Sequence, residues 1–307
     1  MIGRVPIGSV GFVFVGPATE HQADGAVVRA AWLALGALVL TACAETTIAS
    51  SPPEAEVVPE PVIVTTIATT TTTTTTTTLP PTTTTTTTQP PLPPVDPPIQ
   101  AVGRSNGEDT RLAQQRLLDL GFWLQEADGG YGTTTRQAVM AFQKYYGITA
   151  DGSLGPETAE LLSSTLARPT ARADAGTLVE IDKGKQVLFF VIDGQVEWVL
   201  NVSTGSEIPY TEPDQNTPGA FQSGDSITRN GLHSVYRQRS EGWWEGDLGR
   251  IYRPKYFTGG IAVHGSNHIP NYPASHGCVR VSVPAMDWIW ESGVMPMDIP
   301  VWVHEGQ

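Results

Sequence analysis

The sequence predicts a multidomain α and β protein: a small three-helix module followed by a mostly β domain, both behind a long unstructured lead. Three observations predict this. Residues 64–98 are dominated by Thr and Pro, a composition that buries too little apolar surface to offset its ordering entropy. Residues 107–162 carry an internal repeat, in which Asp128-Gly129-Gly130-Tyr131-Gly132-Thr133-Thr134-Thr135 returns as Asp151-Gly152-Ser153-Leu154-Gly155-Pro156-Glu157-Thr158. From residue 177 onward, helical periodicity gives way to short β-branched and aromatic runs separated by turn signals.

Residues 30–40 (AAWLALGALVL) are an uncharged apolar run, preceded by Arg29 and followed by Thr41-Ala42-Cys43. The run is too short to span a bilayer, and with its flanks it reads as an export signal covering residues 1–43. Its end resembles a bacterial lipobox, in which the cysteine, here Cys43, is lipidated and becomes the mature N-terminus. An ordinary signal peptide and a short buried helix are the other readings. Glu20 and Asp24 lie in a preamble unlike a signal; a translation start near Val27 or Val28 would remove it. Residues 44–102 then form a disordered Thr/Pro-rich linker. In polyproline geometry, roughly 60 such residues reach on the order of 100–180 Å.

Residues 103–166 read as the helical module. Each D-G-x-x-G-x-x-T unit joins a tight turn to a helix start, with glycines for positive φ and Pro156 in the first helical turn. Ala138, Phe142 and Tyr145 share one helical face, and Leu112, Ala113, Leu117 and Leu120 form another that Gly121 stops. Asp128 and Asp151 are expected to satisfy turn amides. After a short linker at 167–175, residues 176–305 form the β domain. Residues 177–182, 186–192 and 195–202 read as strands, the last two joined by Asp193-Gly194, a strong hairpin signal. Residues 260–264 read as a buried strand with His264 at its end. A short helix over 284–291 and a strand over 299–303 close the domain.

The formal net charge is −13 and the sequence pI is near 4.8, which argues against a nucleic-acid partner. Only two cysteines, Cys43 and Cys278, are present, so there is no disulfide framework. Cys278 lies in Ser275-His276-Gly277-Cys278-Val279-Arg280, with His264-Gly265 upstream. A thiol attacks as the thiolate, and a neighbouring imidazole both lowers its pKa and accepts its proton. A buried structural cysteine is the bland alternative. A zinc site from His264, His276 and Cys278 is the other, but no fourth ligand and no CxxC or HExxH spacing accompany it.

Two family resemblances follow from these motifs. Residues 107–162 (LAQQRLLDLGF, DGGYGTTTRQAVMAFQKYYGI, DGSLGPETAELL) resemble a peptidoglycan-binding module, and both D-G-x-x-G turns match. From about 176 to 303, the chain resembles the L,D-transpeptidase catalytic domain of YkuD type. The markers are Asp193-Gly194, Thr217-Pro218-Gly219, Ala262-Val263-His264-Gly265 and the Ser275–Arg280 motif. That resemblance implies a curved sheet or sandwich with one or two short helices.

It also implies Cys278 as nucleophile and His264 as general base, with the Gly265 carbonyl orienting the imidazole. Gly277 lets the backbone turn so that the Gly277 and Cys278 amides can face an oxyanion. His276 either assists there or holds the loop. Ser275, Arg280 and Tyr256 are substrate-side candidates, with Arg280 leaning towards bracing the loop. Trp243, Trp244 and Tyr252 either line the channel or are ordinary sheet residues. The implied function is crosslinking of peptidoglycan stem peptides through a cysteine thioester. An L,D-carboxypeptidase using water, or a non-catalytic wall-binding protein, are the alternatives. The expected partners are stem peptides, glycan, and a membrane through the lipid anchor, for an extracytoplasmic monomer without metal or cofactor.

Overall fold

In the computed structural model the described residues are 90–306; the signal region, Cys43 and residues 44–89 lie outside them. Three helices come first: α1 (Glu108–Asp119), α2 (Thr133–Tyr146) and α3 (Pro156–Ser164). All three start at glycines, Gly107, Gly132 and Gly155, with no side-chain cap. The turns are held from within by two buried glutamines. Gln114 Nε2 donates to Asp128 Oδ1 at 3.1 Å and to Thr135 Oγ1 at 2.8 Å, while its Oε1 accepts from the Gly129 amide at 2.7 Å. Gln143 repeats the pattern on Asp151, Thr158 and Gly152 at 2.9, 3.0 and 2.8 Å. Both aspartates also accept a turn amide, from Gly130 and Ser153.

The β domain follows as β1 (Leu178–Asp182), β2 (Val187–Ile192), β3 (Gln195–Asn201), β4 (Tyr210–Pro213), β5 (Phe221–Gly224), β6 (Gly231–Ser234), β7 (Arg237–Gln238), β8 (Trp243–Gly246), β9 (Gly249–Thr258), β10 (Ile261–Ser266), β11 (Val279–Ser282), α4 (Val283–Glu291) and β12 (Pro300–His304). One sheet has the order β3-β2-β1-β12-β6; the second runs β11-β10-β9-β7, with β8 also on β9; β4 and β5 form a separate hairpin. Most neighbours are antiparallel, but β1–β12 and β10–β11 are parallel. This is the mostly β domain with a short helix that the sequence predicts.

Within the first sheet, β2 is buried on both faces. Its run Val187-Leu188-Phe189-Phe190-Val191 is at most 2% exposed at every position, as expected for a strand covered on two sides. Leu188 and Phe190 face the core shared with the second sheet and α4. Val187, Phe189 and Val191 face the helical module. Each such fully buried aromatic or branched side chain contributes about 1.5–3 kcal/mol of burial free energy.

Backbone bonds extend that contact: Val199 donates to the Gly121 carbonyl at 2.7 Å and Trp123 to Val199 at 3.1 Å. Lys144 Nζ donates to the carbonyls of Gln186 and Val202 at 3.3 and 3.0 Å. The connecting residues are pinned as well, with the Arg172 and Ala173 amides donating to the buried Glu180 carboxylate at 3.0 and 2.7 Å.

The expectation that disorder extends to residue 102 is corrected. Leu92 donates to the Leu166 carbonyl at 2.7 Å, Ile99 donates to Ser163 Oγ at 2.9 Å, and Ile99 is only 4% exposed. Among the prolines, Leu92, Val95, Ile99 and Val102 supply an apolar stripe that packs against the helices. Among the described residues, no helix is long and apolar enough to cross a membrane.

Candidate active site

Strands β10 and β11 carry the site. Their parallel register pairs Val263 with Val279 and His264 with Arg280. Continued by one residue, that register sets Cys278 beside Ala262, two positions before His264 and on the same strand face. One cavity of about 590 Å³ is lined by Cys278, His264, Ser275, His276, Arg280 and Tyr256. Six of the predicted side chains therefore converge.

Burial shifts the acidities of both His264 and Cys278. His264 is 4% exposed, and its Nδ1 lies 2.9 Å from the Gly265 carbonyl oxygen. An Nδ1–H donating there leaves Nε2 as the basic nitrogen. Burial pulls the imidazole pKa down to about 4, assisted by Arg280 and opposed by the Gly265 bond. Cys278 keeps partial exposure, yet burial of its thiol pushes the pKa above the ordinary value, against lowering contributions from the Ala262 backbone and Arg280. The expected lowering of the thiol pKa by a neighbouring imidazole is thus reversed. Desolvation disfavours charge on both groups and outweighs the nearby bonds, holding the thiol pKa up and the imidazole pKa down.

The loop before Cys278 is held by its own small residues. Ser275 Oγ donates to the Cys278 carbonyl at 2.5 Å and accepts from the Gly277 amide at 3.1 Å. The expectation that the Gly277 amide faces an oxyanion is therefore corrected: it is taken up by Ser275. Gly277 remains indispensable, at φ +123° with room for a Cβ only 3.0 Å from the Ile227 carbonyl oxygen. Gly265 is required by packing too, since a Cβ there would meet Tyr252 at 2.9 Å.

His276 is turned to the β4–β5 hairpin. Its Nε2 is 3.0 Å from Glu212 Oε1, and its ring is 4.5 Å from that of Tyr210. This pairing ties the Cys278 loop to the hairpin, as the loop-holding reading of His276 expects. Arg280 makes no side-chain bond to loop carbonyls among the described residues, so the bracing reading is replaced by a guanidinium facing the cavity. Trp244 lines the cavity, whereas Tyr252 donates to Asp287 Oδ1 at 2.9 Å and packs on the core. Among the described residues, no three His, Cys, Asp or Glu side chains cluster as metal ligands.

Sequence reasoning missed several residues. Thr228, fully buried, donates to the Gly277 carbonyl at 2.7 Å and accepts from the Gly205 amide at 2.8 Å. Tyr210, Arg237 and Arg239 also line the cavity. A lone threonine or arginine in a strand-rich stretch carries no local signal of such a role.

Comparison with known proteins agrees with this architecture. Residues 106–162 match the peptidoglycan binding domain model, and residues 176–303 match the L,D-transpeptidase catalytic domain model. A crystal structure of an L,D-transpeptidase from Xylanimonas cellulosilytica is 44% identical, covers 69% of this chain and 100% of its own, and superposes with a TM-score of 0.59. The chain belongs to the L,D-transpeptidase family. Shorter matches are to N-acetylmuramoyl-L-alanine amidases: CwlM of Mycobacterium tuberculosis, 48% identical over 52 residues, and CwlL of Bacillus licheniformis, 42% over 62 residues. The matches cover 17% and 20% of this chain, and 13% and 17% of those curated relatives.

Proposed function

We propose that this chain is a cysteine-dependent acyltransferase that crosslinks peptidoglycan stem peptides. The observation that carries the reading is a buried imidazole, oriented by the Gly265 carbonyl, opening on the same cavity as the Cys278 thiol. His264 Nε2 takes the thiol proton as sulfur attacks a peptide carbonyl carbon, so charge appears only as the new C–S bond forms. The Cys278 amide is the donor we assign to the oxyanion. Collapse expels the leaving amine, which takes the proton from the His264 imidazolium, and a thioester remains. A second amine then attacks the thioester, gives its proton to His264, and releases the new amide and the thiol. Tyr256 and Arg280 form walls for the donor peptide.

The helical module holds the enzyme on the wall, and Cys43, once lipidated, tethers it to the membrane through residues 44–89. Incorporation of a labelled fatty acid, lost in Cys43→Ala, checks the anchor. For the chemistry, muropeptides incubated with pure protein should give crosslinked dimers and an acyl mass on Cys278, both absent from Cys278→Ala. Wild-type turnover by that variant would reject the mechanism. Trimmed monomers in place of dimers would identify water as the acceptor.

A further inference from the structure

The cavity wall formed by β7 and β9 is strongly positive for so acidic a chain. Arg237 and Arg239 both line it. They stand two apart on an extended segment, so their side chains project to one face. Arg237 pairs with Tyr256 across the β7–β9 ladder, and the Arg239 amide continues it to the Pro254 carbonyl at 3.0 Å. The Arg237 guanidinium carbon lies 3.9 Å from the Tyr256 ring centroid, and that of Arg239 lies 3.6 Å from Trp244. Stacking fixes both planes yet leaves their N–H edges unused.

No carboxylate pairs with either guanidinium among the described residues, whereas neighbouring Arg250 pairs with Glu245 at 2.8 Å. Asp247, also on the cavity, is engaged by Asn216 at 2.8 Å. Like charges held side by side without a counter-ion repel, and a shared anion removes that repulsion.

We propose that Arg237 and Arg239 form a carboxylate-binding subsite that selects peptides carrying a free carboxylate close to the scissile carbonyl. The register gives the distance. From Cys278 past Ala262 and Tyr256 to Arg237 is three strand spacings, about 14 Å between backbones. An arginine leaning back over Tyr256 gives up one spacing and leaves roughly 10 Å, the span of about three extended residues. A planar two-donor fork suits a carboxylate and is lost on a carboxamide. The subsite rests on the acyl-transfer reading above and adds its specificity.

The test uses the full chain and two donor peptides identical except that one carboxylate, within three residues of the scissile carbonyl, is a carboxamide in the second. The readout is the ratio of kcat/KM for acid over amide, with thioester formation followed by intact mass. The wild type should favour the acid roughly 10- to 100-fold, the worth of a hydrogen-bonded charge. Arg237→Gln and Arg239→Gln should each lower that ratio, and Arg237→Lys should keep part of it. A wild-type ratio near one, or a ratio untouched in both glutamine variants, overturns the subsite while leaving acyl transfer intact. A wild type that acylates with neither peptide overturns both.

Discussion

The floor and the roof of the cavity are built on different physical terms. The floor, β10 with the Cys278 loop, is a parallel ladder under buried side chains, with His264 and Ser275 at 4% and 3% exposure. The roof, the β4–β5 and β8–β9 hairpins, is exposed, with Phe221 at 65% and Trp244 at 41%. A buried ladder fixes atoms to the tolerance that bond-making needs and shifts the acidities of the reacting groups. An exposed hairpin does neither, but it can present arginines and aromatic faces to a substrate. On the acyl-transfer reading, that difference assigns chemistry to the floor and recognition to the roof.

Substitutions can break that division. His264→Gln should have the largest effect, lowering kcat by about 10²- to 10⁴-fold for every substrate, as loss of a general base does. The pH profile sharpens the point. With its pKa held down at about 4, the His264 imidazole stays neutral and basic in mildly acidic solution. The acid limb of kcat/KM should therefore lie near 4 and not near 6.5. The thiol is pushed upward, so iodoacetamide should label Cys278 with a midpoint above the ordinary value of about 8.5. A labelling midpoint below neutrality would mean that the floor holds an ion pair.

Gly277→Ala should come next. Strain at φ +123° and the approach to Ile227 should displace the loop and cost about 1–3 kcal/mol in stability, seen as a lower Tm. Thr228→Val leaves the Gly205 amide and the Gly277 carbonyl without their partner, so about 1–3 kcal/mol of stability should be lost in denaturant titration. Glu212→Gln should matter least. The Glu212–His276 pair ties the roof to the Cys278 loop, with side chains 49% and 28% exposed, and such pairs are worth at most about 1 kcal/mol. Its variant should raise KM with Tm nearly unchanged; a collapse in kcat would place His276 in the chemistry.

The same division decides what could be read from the sequence. The convergence of the floor residues on one cavity was legible because Ser275–Arg280 and His264-Gly265 combine residue types that rarely meet by chance. The internal repeat and the Asp193-Gly194 turn made the two folded parts equally plain. The contacts that hold the Cys278 loop were opaque because they join residues far apart in the chain: Glu212 meets His276 across 64 residues, and Thr228 meets Gly277 across 49. Packing of residues 90–102 was hidden by prolines, whose composition suggests a solvated tether. The direction of the thiol shift depends on how deeply the loop is enclosed, a tertiary quantity that no motif encodes.

Trp123 carries a consequence for how such proteins can be rearranged. It follows α1 in the chain, yet it sits at 7% exposure in the core of the β domain, with its ring 5.2 Å from that of Trp288 on α4. The helical part therefore supplies a piece of the enzyme's own interior. The two parts should therefore melt together in one cooperative calorimetric transition, and the module should not exchange like a cassette. A recombination joint placed in residues 167–175 would leave a hole where that indole belongs and bare the outer face of β2.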